Sequence, residues 1–196
     1  MNKQTLFAGV IALIVIVGAF FLGGAPSSQD DKERNTVGIT NTALAAKFED
    51  LSGKTTNSCG GGKAVVFGLP EDGRLQGSCC DAMDAHSYEE QVEGLEGKYS
   101  EYGIIPFDPY DVPASWARQM IEYSDQTTLT PEQQATYDKA TEMSEEGGPC
   151  CCVCWHWYAY EGLAKHLIIN EGFSAQQIAE VWDLSDACGG GSEHSH

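Results

Sequence analysis

The sequence predicts a mainly α-helical protein: an N-terminal transmembrane helix, then a compact helical domain with a small glycine-rich insert that could form a β-hairpin. Two observations lead to this fold class. The first 25 residues contain a long apolar run, and most of the following chain repeats hydrophobic residues at helical spacing. We expect an anchor at residues 1–25, a flexible linker at 26–37, an extracytoplasmic cysteine-rich domain at 38–188 and a disordered tail at 189–196.

The apolar run LFAGVIALIVIVGAFFL, residues 6–22, predicts the transmembrane helix. With Gly23–Ala25 it reaches about twenty uncharged residues, enough to cross a hydrocarbon core. Lys3 precedes it, which by the positive-inside rule puts the N-terminus in the cytoplasm. Pro26 follows the small residues directly and disfavours cleavage there, so a signal anchor is favoured over a cleaved signal peptide. We therefore expect a single-pass cell-membrane protein whose C-terminal domain lies outside the cytoplasm.

The helices of the domain are predicted from their caps and hydrophobic spacing. The expected caps or first residues are Asn41, Ser87, the residue after Pro113, Thr130, Trp155 and Ser174. Ser87, Thr130 and Ser174 are each followed three residues later by Glu or Gln, which is the capping-box pattern. The helix from Trp155 is expected to be long, mostly buried and to end near Gly172.

Between the first two helices the chain is rich in glycine. The segments KAVVFG, residues 63–68, and RLQG, residues 74–77, flank the turn-forming LPEDG. This arrangement predicts a short β-hairpin.

Net charge and missing motifs exclude several functions. The chain has 11 basic and 29 acidic residues, a formal charge of −18, which disfavours binding to nucleic acid. This charge favours solubility first, and otherwise cations or a cationic protein partner. No nucleotide-binding motif is present. Cys154 is followed by Trp155, so no C-x-x-C-H motif for covalent haem exists. The sequence indicates neither an enzymatic reaction nor an oligomeric state.

The segment PCCCVC, residues 149–154, places four cysteines directly before a predicted helix. If it is extended, Cys150, Cys152 and Cys154 project to the same side. If it is helical, Cys150 and Cys154 share a face and Cys151 lies near Cys154. Both geometries present two or three sulfurs to one ion. The N-terminus of the following helix would lower the pKa of these thiols.

A second constellation is SCCDAMDAHS. If this segment is helical, Cys79 or Cys80, Met83 and His86 fall on one stripe. Thiolate, thioether and imidazole together suit Cu(I), and cysteine with histidine suits Zn(II). In the alternative interpretation Met83 fills the core and His86 is a surface residue.

Three functions remain open for the eight cysteines. Outside the cytoplasm an even number first suggests disulfides, and Cys59, Cys79, Cys80 and Cys188 could each pair with one cysteine of PCCCVC. A thiol–disulfide redox protein is a further alternative. We favour binding of a soft metal ion, copper(I) or zinc, for storage, delivery to a metal-transfer partner, or structural fixing. The expected ligands are Cys150, Cys152 and Cys154, then Cys79, Cys80, His86 and Met83, and lastly Cys151 and His156, which lies one turn after Cys152 if the segment is helical.

PCCCVC also resembles the motif of a bacterial family of secreted or membrane-attached proteins named for the sequence PCYCGC. Pro149, Cys150, Cys152 and Cys154 match that motif, while a cysteine replaces its tyrosine and a valine its glycine. The resemblance implies an N-terminal membrane or lipoprotein signal before a small helical domain. It also implies that the alternate cysteines act as a unit, but it assigns no chemistry to them.

Overall fold

The computed structural model of the chain describes residues 39–189. The predicted anchor and linker, and all but the first residue of the predicted tail, lie outside the described residues. Within residues 39–189, no helix is both long enough and apolar enough to cross a membrane.

The described chain is mainly helical, as predicted, with seven α-helices and one pair of short strands. In order the elements are α1 (Thr42–Leu51), a 3₁₀ turn (Cys59–Gly61), α2 (Lys63–Gly68), β1 (Arg74–Gln76), α3 (Ala85–Tyr99), β2 (Asp111–Pro113), α4 (Ala114–Gln126), α5 (Pro131–Met143), α6 (Trp155–His166), a π turn (Leu167–Glu171) and α7 (Ala175–Ser185). The π turn continues α6 to Gly172, whose left-handed φ of 68° ends the helix where the sequence predicted.

The side-chain caps confirm three predicted helix starts and correct one. Asn41 caps α1, and Thr130 and Ser174 form complete capping boxes at α5 and α7. Ser87 is not the cap of α3. The carboxylate of Asp84 accepts the backbone N–H of Ser87 at 2.9 Å, so the cap of α3 lies three residues earlier than predicted.

The predicted hairpin is wrong. Residues 63–68 form α2, and β1 pairs with β2, in antiparallel register with Leu75 opposite Val112. Arg118 of α4 stabilises the helical conformation of residues 63–68, because its guanidinium donates to the carbonyls of Val66, at 3.0 Å, and Leu69. The Val66 carbonyl also accepts the backbone N–H of Leu69 at 3.3 Å, so Arg118 adds a second donor at the end of α2.

The core is built on the close crossing of α4 and α6. A Cβ added to Gly162 would lie 1.9 Å from the carbonyl oxygen of Met120, so the two backbones touch at this point. Trp155, Leu163 and Trp182 are fully buried around the crossing. This contact fixes the direction of α6, and with it the position of the cysteines that precede α6.

Gly162→Ala should destabilise the fold by about 3 kcal/mol, because its methyl group would push two packed backbones apart. The matched control is Gly97→Ala in α3, where a Cβ meets nothing within 4 Å. That substitution should stabilise by about 0.5–1 kcal/mol through helix propensity. Thermal unfolding of the metal-free, reduced full chain in detergent, followed by circular dichroism, measures both. Equal effects of the two substitutions would refute the backbone contact.

A small ionic network supports the strand pair. Asp111 is 12% exposed and forms ion pairs with Arg74 of β1 and, at 3.3 Å, with Lys47 of α1. Partial burial opposes ionisation of the carboxyl group, but the hydrogen bond from Arg74 and the two positive charges outweigh it. The pKa of Asp111 is therefore held below its ordinary value of 3.8.

Because the folded-state pKa of Asp111 is depressed, its ionic contribution is present above the unfolded pKa and lost as pH falls through the folded pKa. Asp111→Asn should therefore cost about 1 kcal/mol at pH 7, a modest value because both cations are partly exposed. The difference from wild type should shrink towards pH 3, as measured by urea unfolding. Asp50→Asn is the control, since Asp50 is 62% exposed. A difference that does not change with pH would contradict this account.

Candidate metal centre

Four separate segments bring all eight cysteines of the chain together. Cys59 opens the 3₁₀ turn, and a loop after β1 carries Cys79 and Cys80. Cys188 follows α7, and the remaining four cysteines immediately precede α6. We call these eight residues the thiol cluster.

Backbone hydrogen bonds join the loop after β1 to the segment after α7. The N–H of Cys79 donates to the carbonyl of Ala187 at 3.0 Å, and the N–H of Asp81 donates to that of Cys188 at 2.8 Å. Gly189 permits this approach, since a Cβ there would lie 2.3 Å from the Asp81 carbonyl oxygen, and its φ is 88°. Cys79 and Cys188 are therefore neighbours through main-chain contacts, whatever the state of their sulfurs.

Two glycines and the start of α6 position the PCCCVC segment. Gly147 has a φ of 66°, and a Cβ on Gly148 would lie 2.6 Å from the Trp157 ring. Cys154 is the N-cap of α6, which confirms that the cysteines lie at the beginning of a helix. The segment is neither helical nor extended, because it turns sharply enough for the Cys154 N–H to reach the Cys152 carbonyl at 2.9 Å.

Asn57 connects the first two cysteine segments to α6. Its side-chain oxygen accepts the indole N–H of Trp155 at 2.8 Å, and its amide donates to the Gly77 carbonyl at 2.9 Å. The residue is 4% exposed, so neither bond competes with water. Asn57 thereby sets the distance between the turn of Cys59, the loop of Cys79 and the residue after Cys154.

Close contacts link all eight sulfurs in one continuous network. The Sγ–Sγ distances are 2.8 Å for Cys59–Cys80, 3.0 Å for Cys151–Cys188, 3.4 Å for Cys59–Cys152, 3.5 Å for Cys79–Cys188 and Cys150–Cys188, 3.6 Å for Cys79–Cys80 and 4.0 Å for Cys150–Cys154. All eight cysteines are free thiols. Cys150, Cys154 and Cys188 are buried and Cys80 is exposed, so the network runs from the interior to the surface.

Five sets of three cysteines have all their sulfurs within 4.8 Å of one another and could hold a metal ion. They are Cys59–Cys79–Cys80, Cys59–Cys152–Cys154, Cys79–Cys150–Cys188, Cys80–Cys151–Cys188 and Cys150–Cys151–Cys152. Sulfur is the only ligand atom in these sets. An all-thiolate environment of this kind suits soft ions.

No fixed positive charge neutralises the thiol cluster within the described residues. Each of the eight lysines and arginines there forms an ion pair with a carboxylate. His156 is buried beside the cluster, and its Nε2–H donates to the Ser185 carbonyl at 2.9 Å. Burial lowers the pKa of His156, so its ring stays neutral. Within residues 39–189, no lysine or arginine is therefore left unpaired to balance several thiolates.

The cysteines with a shifted pKa form two groups, five with a raised value and two with a lowered value. Burial raises the pKa of Cys80, Cys152 and Cys151, the last to about 12. Hydrogen bonds to neighbouring sulfurs raise the pKa of Cys79 and Cys150. Cys154 and Cys188 have lowered pKa values because, as thiolates, they accept S–H bonds, first from Cys150 and then from Cys79. The first negative charges therefore develop at two buried sulfurs.

The other predicted ligands lie elsewhere. Met83 packs in a second hydrophobic cluster with Phe48 and Leu51, and His86 is exposed in the first turn of α3. The segment before Ala85 is not helical, so the predicted stripe of cysteine, methionine and histidine does not form. None of the five sulfur sets includes His86 or His156.

Cys59 and Cys188 belong to the thiol cluster, although the sequence suggested them only as disulfide partners. Their one signal in the sequence is that they complete an even number of cysteines. Nothing local to either residue predicts their approach, which depends on Asn57 and on the backbone bonds to Ala187 and Cys188.

Asn57→Ala should destabilise the fold by about 2 kcal/mol, because it leaves the buried Trp155 indole N–H without a partner. It should also loosen the cluster, so that the buried thiols react faster with an alkylating reagent. Asn170→Ala is the control, since its amide bonds are exposed. Alkylation rates followed by mass spectrometry, together with thermal unfolding, measure both effects. Unchanged thiol reactivity in Asn57→Ala would show that this residue does not position the cysteines.

The chain matches no family model, no curated protein and no solved structure in comparisons with known proteins. The resemblance to the PCYCGC motif stays a prediction carried by Pro149, Cys150, Cys152 and Cys154. What this chain does is therefore inferred from the eight thiols themselves.

Proposed function

We propose that this protein is a membrane-anchored, extracytoplasmic binder of a soft metal ion, Cu(I) or Zn(II), which it holds through clustered cysteines. The observation that carries the proposal is the continuous network of eight sulfurs, beside which the described part of the chain places no unpaired lysine or arginine. Thiolates select Cu(I) and Zn(II) among the common metal ions. A bound cation would also supply the positive charge that the surrounding side chains lack.

A disulfide-stabilised interaction module is the second candidate. The short approaches of Cys59 to Cys80, at 2.8 Å, and of Cys151 to Cys188, at 3.0 Å, favour it for two pairs. It explains less of the remaining geometry, because Cys188 is also 3.5 Å from both Cys79 and Cys150. A sulfur with three near neighbours suits an ion better than a single covalent partner.

A thiol–disulfide redox function has weaker support. Such proteins need an accessible thiol with a lowered pKa. Cys80 is the exposed cysteine of the cluster, and partial burial of its sulfur raises its pKa. Cys154 and Cys188 have lowered pKa values, but both are buried. The accessible thiol is therefore not one of the thiols that ionise readily.

The location and partners are part of the same proposal. Residues 6–22 predict the anchor that would keep the thiol cluster outside the cytoplasm. The exposed thiol of Cys80 offers a point at which an ion could exchange with a metal-transfer partner. The net charge of −18 favours a partner that is positively charged. Storage and delivery are both consistent with this arrangement, as is a structural role for the ion.

Metal analysis combined with thiol counting tests the proposal. The full chain is purified in detergent without oxygen, supplied with Cu(I) or Zn(II), and passed over a desalting column. We expect bound metal, and we expect most of the eight thiols to be protected from a thiol reagent. A strong chelator alone should restore their reactivity, since no bond between sulfurs needs to be reduced.

Substitutions define the ligands. Cys150→Ser and Cys154→Ser should lower the amount of retained metal, because both sulfurs belong to the cysteine sets. His86→Ala and Met83→Leu are the controls and should retain as much metal as wild type. Thiols that only a reductant releases would establish the disulfide module instead. Thiols that stay fully reactive in the presence of both metals would exclude metal binding.

A further inference from the structure

The five cysteine sets are not independent of one another. Seven of the eight cysteines belong to two sets each, and only Cys154 belongs to one. Cys79, for example, is part of the outer set with Cys59 and Cys80 and of the inner set with Cys150 and Cys188. Separate ions with separate ligands would not need this sharing, since eight thiols supply two complete sets of three with two sulfurs left over.

The number of sulfurs in each set favours three ligands per ion. A metal–sulfur bond of about 2.3 Å puts sulfurs about 4 Å apart in a planar arrangement of three and about 3.8 Å apart in a tetrahedron of four. Each observed set contains three mutually close sulfurs, and pairs within the sets lie 3.4 Å apart for Cys59–Cys152 and 3.6 Å apart for Cys79–Cys80. These distances are slightly shorter than either arrangement requires, so it is the number of sulfurs in each set that indicates three ligands. Cu(I) accepts three thiolates readily, whereas structural Zn(II) takes four ligands.

Burial also favours a shared arrangement. Cys150, Cys154 and Cys188 are buried and every basic side chain of the described residues is committed to a carboxylate. A thiolate buried without a cation is costly. A thiolate sulfur has lone pairs for two ions, so bridging lets the buried sulfurs of Cys150 and Cys188, which belong to two sets each, contact positive charge on two sides.

We infer that the thiol cluster holds a thiolate-bridged group of more than two Cu(I) ions, and up to five, rather than one or two separate ions. The number five is the number of cysteine sets. This inference rests on the proposed function and names the metal and the form in which it is bound. Each Cu(I) replaces thiol protons, so no electron transfer is involved and the copper must be supplied already reduced.

The test is the copper stoichiometry of the full chain. The reduced protein in detergent is titrated with Cu(I) from an acetonitrile complex without oxygen and observed by native mass spectrometry. We expect a loaded species with three to five copper ions to grow at the expense of the metal-free chain, with little of the intermediate species, because ions that share sulfurs bind cooperatively. Ultraviolet-excited emission, typical of Cu(I)–thiolate groups shielded from water, should rise in parallel.

Two substitutions within the cluster test the sharing itself. Cys79→Ser removes a sulfur that belongs to two sets, and Cys154→Ser removes one that belongs to a single set. We expect Cys79→Ser to lose about twice as many copper ions as Cys154→Ser. Circular dichroism verifies that each variant is folded. If Cys79→Ser does not fold, the copper stoichiometry of the wild type and the number of copper ions lost in Cys154→Ser still test whether the ions are bridged.

The outcomes separate this inference from the proposed function. Three or more copper ions with emission support bridging. One or two ions, bound tightly but without emission, overturn the bridged cluster and leave soft-metal binding intact. No retained copper or zinc overturns both. Equal copper losses in Cys79→Ser and Cys154→Ser would overturn the sharing of sulfurs between sets.

Discussion

The rest of the site depends on one constraint: eight closely spaced sulfurs repel one another once several of them lose their protons. As neutral thiols they pack like small hydrophobic side chains, and Cys150, Cys154 and Cys188 do so at the edge of the core. As thiolates they need positive charge, and the chain commits every lysine and arginine of residues 39–189 to a carboxylate. The described domain thus concentrates groups that can become thiolates, without an unpaired lysine or arginine among residues 39–189 to balance them. In the proposed function, a soft metal ion supplies this positive charge.

The helices do not contribute the cysteines directly, but they determine where the cysteine-bearing loops meet. The contact of Gly162 with the Met120 backbone fixes α6, and Cys154 caps that helix. Asn57 then connects α6 to the loops on the other side. A rigid core with the reactive atoms on short connections is a common division of labour in proteins. Here it allows the sulfurs to approach one another without breaking a helix.

The helices were predictable because their signals are local. Asn41, Thr130 and Ser174 cap within three residues of themselves, so the sequence alone contains their interactions. The hairpin failed for the opposite reason, since Arg118, about fifty residues away, provides the carbonyl partners that favour α2. The thiol cluster lies between these cases. PCCCVC indicated a site, but the participation of Cys59 and Cys188 depends on distant main-chain contacts that no spacing encodes.

The position of Cys59 and Cys188 along the chain has a consequence for the stability of the folded domain. Nearly all of the described domain lies between these two residues, and both belong to the thiol cluster. An ion or a covalent bond that joins Cys188 to Cys79, its neighbour at 3.5 Å in the same set, closes a loop of more than 100 residues. Closing a loop of that size removes chain entropy from the unfolded state worth about 4 to 5 kcal/mol in the simplest account. A link among the cysteines would therefore hold distant parts of the chain together and stabilise the domain against unfolding.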